Sequence, residues 1–179
     1  IYKSNNFQKL FIFLSSCGYA FPGTILAVGM VIFVGWLNDL IYFHINYFTG
    51  GVIVLLFAYI LRFLAVGNGA IKSGVLKINP NLIDASRIMG FNFFKIITRI
   101  IMPLIYANIL VGGILVFVDI LKELPMTLLL RPFNFETLAT YVYQYASDEM
   151  LEECSLAALM IVLTGIGPVI LLNSAIKKV

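Results

Sequence analysis

The residues best equipped for chemistry in this 179-residue chain cluster between positions 119 and 131. Asp119 and Glu123 lie four apart, so they share one face of any helix that runs through both. Lys122, Pro125 and Arg131 sit among them, and Arg62 is set apart inside an apolar run. Arg62 either snorkels toward head groups or pairs with a carboxylate inside a bundle. Asp119 and Glu123 can in turn pair with Lys122, Arg131 or Arg62. Other chemistries find little support. His44 is the sole histidine and has no Cys, His or carboxylate at ligand spacing, so no metal centre is expected. The run Gly67-Asn-Gly-Ala-Ile-Lys-Ser-Gly74 fails as a nucleotide loop, because Ile precedes Lys72 and no strand leads into it; ATP binding by this chain is rejected.

The elements that must position these residues are membrane helices. With 61% hydrophobic and 12% charged residues and a mean hydropathy of +0.99, the chain lies far outside the composition of a soluble domain. A net charge of +3 is too small to suggest a nucleic-acid partner. The expected architecture is all-α, with spans at about 19–37, 50–66, 101–121 and 154–176. Gly23, Ala27, Gly35, Gly112 and Gly113 offer close helix packing. Pro103 should kink the third span or mark its start, and Gly165, Gly167 and Pro168 should kink the fourth. Trp36, Tyr42 and Tyr47 read as interfacial aromatics. Residues 124–130 are apolar but too few to span, which suggests a re-entrant or interfacial loop, and 134–147 reads as a surface helix. The chain starts at Ile1, so a missing upstream part is expected.

Residues 80–103 form the most polar long interval. Asn81 is expected to cap a short helix over about 82–89, with Asp84 three positions on and Gly90 ending it in a left-handed turn. Leu82, Ala85, Ser86 and Met89 share a small, shallow face suited to a groove. Placing this interval in the cytoplasm puts Lys3, Lys9, Lys72, Lys77, Arg87, Lys95, Arg99, Lys177 and Lys178 inside and leaves Lys122 and Arg131 outside, a positive-inside arrangement with the C-terminus cytoplasmic. Cys17 and Cys154 then lie at opposite membrane faces, too far apart for a disulfide.

Asp84-Ala-Ser-x-x-x-Gly90, nine residues, then Ile100-x-Met-Pro103 resembles the EAA loop of ATP-binding-cassette importer permeases, with Asp, Ser and Met at the three substituted positions. The resemblance implies a type I importer transmembrane domain, MetI-like, in which the short helix is a coupling helix. Asp84, Ala85, Ser86, Gly90 and Pro103 would then serve ATPase coupling. The stretches Tyr19–Gly29, Tyr59–Leu64 and Phe117–Tyr141 further resemble the C-terminal half of ferric-iron permeases, with thiamine permeases as near relatives.

What this implies is a multi-pass permease of a bacterial-type cytoplasmic membrane, not an enzyme, with no cofactor of its own and with ATP and magnesium on a partner. The implied partners are a cytoplasmic ABC ATPase subunit, an extracytoplasmic substrate-binding protein, and a second permease half, fused upstream or supplied by a homodimer mate. Ferric iron is a hard cation that prefers oxygen ligands. Arg62, Asp119, Glu123, Pro125 and Arg131 would line the substrate path or gate, with Asp119 and Glu123 touching the ion or only holding the gate through pairing. Asp148, Glu149, Glu152 and Glu153 read as a cation funnel, as helix-dipole partners or as a docking surface for the binding protein. The competing readings are transport of another small solute, an intramembrane enzyme built on Asp119, and a scaffold without transport.

Overall fold

The computed structural model describes residues 10, 13, 15–40 and 51–176. The expectations for the N-terminal entry, the loop containing His44, and the Lys177-Lys178 tail lie outside the described residues. The helices are α1 (Gly23–Leu40), α2 (Val52–Val75), α3 (Pro80–Ile88), α4 (Phe93–Leu121), α5 (Pro125–Leu130), α6 (Leu138–Ser147) and α7 (Leu151–Ile176). By length and apolar composition α2, α4 and the Leu151–Ile170 part of α7 are able to cross a membrane. At 18 residues, α1 is about 27 Å long, slightly short of the roughly 30 Å hydrocarbon layer.

The tight core lies where α1, α2 and α5 meet. Ala27, Met30 and Val34 interlock with Val54, Leu55, Ala58, Tyr59 and Phe63, and Met126 and Leu130 close the cluster from α5. In contrast, Ile25, Ile32, Ile53 and Ile60 point outward from α1 and α2. A helix that is apolar on both faces suits lipid on one side and protein on the other. α4 packs along α2, and α6 folds back on α7.

Several boundaries differ from the sequence reading. The first span does not begin at residue 19: residues 18–20 form a turn and the helix starts at Gly23, behind Pro22. A side chain at Gly18 would place its Cβ 2.0 Å from the Leu61 carbonyl oxygen, so the broken segment crosses α2 at backbone contact. The second span does not stop at 66. Gly67–Gly74, left outside the span by the sequence reading, is helical through Val75. Glycine is a poor helix former, but here packing overrides propensity. A Cβ at Gly74 would sit 2.8 Å from the Asn108 side chain, and one at Gly112 would sit 2.9 Å from Ala70 Cβ. The small residues bring α2 and α4 together, and Asn108 Nδ2 then donates to Ser73 Oγ at 3.2 Å.

The third span starts at Phe93 rather than 101, capped by Asn92, whose side chain accepts from Lys95 N–H. Pro103 stands in the first turn of its regular α-helical part, Met102–Leu121, as expected, without ending the helix before it. A π-helical turn at Ile97–Ile101 precedes it, with Met102 N–H donating to the Ile97 carbonyl. Proline cannot donate to the carbonyl four residues back, and a wider turn absorbs the mismatch. Likewise α7 runs from Leu151 rather than 154 and remains helical through Pro168. The stretch 124–130 is a short helix, not a loop, with Met126, Thr127 and Leu130 buried, which meets the requirement that such backbone be enclosed by protein. The expected helix over 134–147 begins at Leu138, where Thr137 and Thr140 form a reciprocal capping box.

Gly112 and Gly113 provide a test. Gly112→Ala forces Ala70 apart from it, at a cost of about 1–3 kcal/mol, whereas Gly113 faces open space, and Gly113→Ala is neutral or stabilising by up to about 1 kcal/mol. Thermal unfolding of the purified full-length protein in detergent distinguishes the two.

Candidate functional site

A polar contact joins α1, α2 and α5 beneath the apolar core. Arg62 Nη1 lies 3.5 Å from Glu123 Oε1, with side-chain exposures of 18% and 8%. Arg62 Nε and Nη1 are buried without a hydrogen-bond partner, so the pair is held by charge rather than by a bidentate fork. Glu123 is further fixed by Met126 N–H, which donates to Oε1 at 3.2 Å. Thr127 Oγ1 donates to the Glu123 carbonyl at 2.8 Å, which leaves the Tyr59 hydroxyl to donate to Thr127 Oγ1 at 2.5 Å. Tyr59 and Arg62, one helical turn apart on α2, thus hold both ends of the Glu123–Thr127 turn. Pro125, at the start of α5, has no N–H to leave unsatisfied there. Gly23 completes the contact: a Cβ at that position would fall 1.9 Å from Arg62 Nη1 and 2.8 Å from Glu123 Oε1.

Of the two readings of Arg62, pairing inside the bundle is the one observed. Asp119 and Glu123 do not share a helix face, because α4 ends at Leu121 and Lys122 caps it. Asp119 pairs with Lys122 at 2.9 Å, and this hydrogen bond and charge push the Lys122 ammonium pKa above its ordinary value. Arg131 joins neither carboxylate; it pairs with Glu136, which also accepts from Thr140 Oγ1 at 2.9 Å. Among the described residues no group of three His, Cys, Asp or Glu side chains could hold a metal ion, and Cys17 and Cys154 are both free thiols. Only Glu152 and Glu153 of the acidic run lie in the first turn of α7; Asp148 and Glu149 occupy the preceding turn, where Glu149 has φ 61°.

α3 differs from the sequence reading at its start. Asn79, not Asn81, is the cap: its Oδ1 accepts from Asn81 N–H at 3.0 Å. Pro80 holds the preceding residue extended and suits the first helical position, so the helix starts two residues early. Asp84 forms no capping box and pairs with Arg87 at 3.6 Å. Gly90, at φ +78°, ends the helix as expected, with Gly90 N–H bonded to the Arg87 carbonyl and Phe91 N–H to the Ser86 carbonyl, the Schellman pattern.

The shallow face is partly closed. Ser86 is only 4% exposed, its hydroxyl spent on the Leu82 carbonyl, so a partner cannot reach it. Asp84 and Ala85 are exposed, and Ile88 and Met89, at 88% and 74%, are the most accessible apolar side chains of this turn.

Tyr59, Thr127, Gly18 and Gly23 were missed as site residues. Only Pro22-Gly23 carried a local signal of a helix start; a Tyr–Thr bond across 68 positions leaves no periodicity to read.

Residues 1–178 match the family described as "Binding-protein-dependent transport system inner membrane component". The chain is also 30% identical over 156 residues to the Fe(3+)-transport system permease protein FbpB 2 of Haemophilus influenzae, covering 87% of this chain and 29% of that protein. The chain therefore spans under a third of that relative's length. No solved structure gives a significant match.

The Arg62–Glu123 pair is open to a double-mutant cycle. Arg62→Ala or Glu123→Ala alone leaves a buried unpaired charge and costs about 3–5 kcal/mol. The double variant loses less than the sum of the two; additive losses in unfolding of the full-length protein would show that the side chains do not interact.

Proposed function

The chain belongs to the inner-membrane components of binding-protein-dependent transport systems, and from that premise we propose that it is the permease part of an ATP-driven importer. It moves substrate by alternating access and hydrolyses no ATP itself. The observation that carries this reading is the path from α3 to the buried pair. A short helix, capped by Asn79 and closed by Gly90, runs through one tight turn into α4 (Phe93–Leu121), whose far end leads directly to Glu123.

In this reading α3 is the coupling helix. Asp84, Ala85, Ile88 and Met89 enter a cleft of a cytoplasmic ATPase subunit that carries ATP and magnesium, and Gly90 sets the angle between α3 and α4. Pro103 and its π-helical turn supply the point where α4 flexes. Movement of α4 pulls Glu123 from Arg62. The pair suits a gate, because charges 3.5 Å apart without a direct hydrogen bond separate at lower cost than a bidentate pair. Asp119–Lys122 and Arg131–Glu136 hold the flanking turns, and Pro125 starts the helix that moves with Glu123.

The substrate we assign is ferric iron, supported by the name of the H. influenzae relative and by the preference of a hard cation for carboxylate oxygen. Asp119 and Glu123 would touch the ion only when their pairs open. The partners are an extracytoplasmic substrate-binding protein and a second permease half, fused upstream or in a homodimer mate. The α3 side of the membrane is cytoplasmic, on the strength of Lys72, Lys77, Arg87, Lys95 and Arg99.

Reconstitution with the ATPase and the loaded binding protein tests the coupling. Gly90→Pro, or deletion of residues 82–90, should abolish the stimulation of ATP hydrolysis by the loaded binding protein; stimulation that survives unchanged would refute the assignment. Uptake of radiolabelled ferric iron should persist in excess thiamine, and competition by thiamine would move the substrate to that class.

A further inference from the structure

We propose that the notch where the α2–α3 connection meets α4 binds the phosphate head group of an anionic phospholipid. The notch is a cavity of about 230 Å³ whose polar lining is Lys77, Asn79 and Asn108, over Gly74, between Leu82 and Leu104. Its donors are uncommitted. Among the described residues no carboxylate forms an ion pair with Lys77. Asn79 uses its Oδ1 on Asn81 N–H, which leaves its amide hydrogens to donate. Asn108 spends one N–H on Ser73 Oγ and retains the other. An ammonium and two amides converging on one space match an anion with several acceptor oxygens. Gly74 keeps Asn108 at the notch, since a Cβ there would lie 2.8 Å from its side chain.

The walls select a lipid over a soluble anion. Leu82 and Leu104 flank the donors, and Leu76 and Val75 beside them expose apolar surface. A head group in the notch would leave its acyl chains along these leucines. The adjoining sequence is positive: Lys72 and Lys77 are met by Asp84 as the first acid that follows them, and Asp84 is engaged by Arg87. A lipid held here would touch the end of α2, the start of α3 and the side of α4, so coupling would depend on membrane composition. The proposal rests on the cytoplasmic placement of α3.

The test uses the complete transporter purified from its membrane and placed in nanodiscs of phosphatidylcholine with or without phosphatidylglycerol. Native mass spectrometry counts retained phosphatidylglycerol. Lys77→Gln should lower retention about fivefold, the effect of one lysine at an anionic surface, while Lys95→Gln, outside the notch, should leave it unchanged. Retention unaffected by Lys77→Gln, or lowered equally by Lys95→Gln, would overturn the site. Displacement of the lipid by millimolar inorganic phosphate would assign the notch to a soluble anion and overturn the lipid. Labelling of Lys77→Cys by a membrane-impermeant reagent in inside-out vesicles reads the orientation separately: protection there would refute the cytoplasmic placement whatever the lipid count.

Discussion

The structure depends on keeping two charges in contact where three helices converge. Arg62 and Glu123 are both largely buried, and neither is tolerable in an apolar bundle without the other. The glycine at the start of α1 lets its backbone approach the pair, since a Cβ at position 23 would displace the guanidinium from its present place. The start of α1, the end of α4 and the start of α5 all meet at this pair. Tyr59 and Thr127 then fix the turn that carries Glu123, so the contact behaves as a unit rather than as an isolated ion pair.

Glycine does a different job along α2 and α4. Between helices in lipid there is no hydrophobic driving force, and association relies on close van der Waals approach. Gly74 and Gly112 allow that approach, which makes the two helices a rigid pair over their shared length. Below it, α4 continues through the π-helical turn to Phe93, with Ile96 buried. In the proposed coupling, stiffness above and a wider turn below would let α4 act as a lever between α3 and Glu123.

Much of the element over residues 80–103 was legible in the sequence because its determinants are local. Gly90 as a left-handed stop follows from its residue type, and the fixed spacing from Asp84 to Pro103 carried the family resemblance that the match to the inner-membrane component family bears out. The cap was misplaced by two residues because Asn81 was weighed without the Pro80 that forces Asn79 extended. The end of the second span was misread for a physical reason: Gly67 to Gly74 is poor in helix formers, and its close fit against Asn108, Gly112 and Val116 of α4 is visible only in the fold. Asp119 and Glu123 would share a face only if one helix ran through both, and α4 ends between them. The choice of Arg62 partner required the fold, since Lys122, Arg131 and Arg62 were chemically equivalent until distance separated them.

In the proposed gate, Glu123 leaves Arg62 when the ATPase partner closes, carrying α5 away from α1. Spin labels at Phe33→Cys on α1 and Leu129→Cys on α5, both exposed positions, report that separation directly by pulsed electron–electron resonance in the reconstituted transporter. The distance distribution should lengthen and broaden when the ATPase is trapped with nucleotide and vanadate, and return after release. A distribution that is identical in the resting and trapped states would contradict the gate.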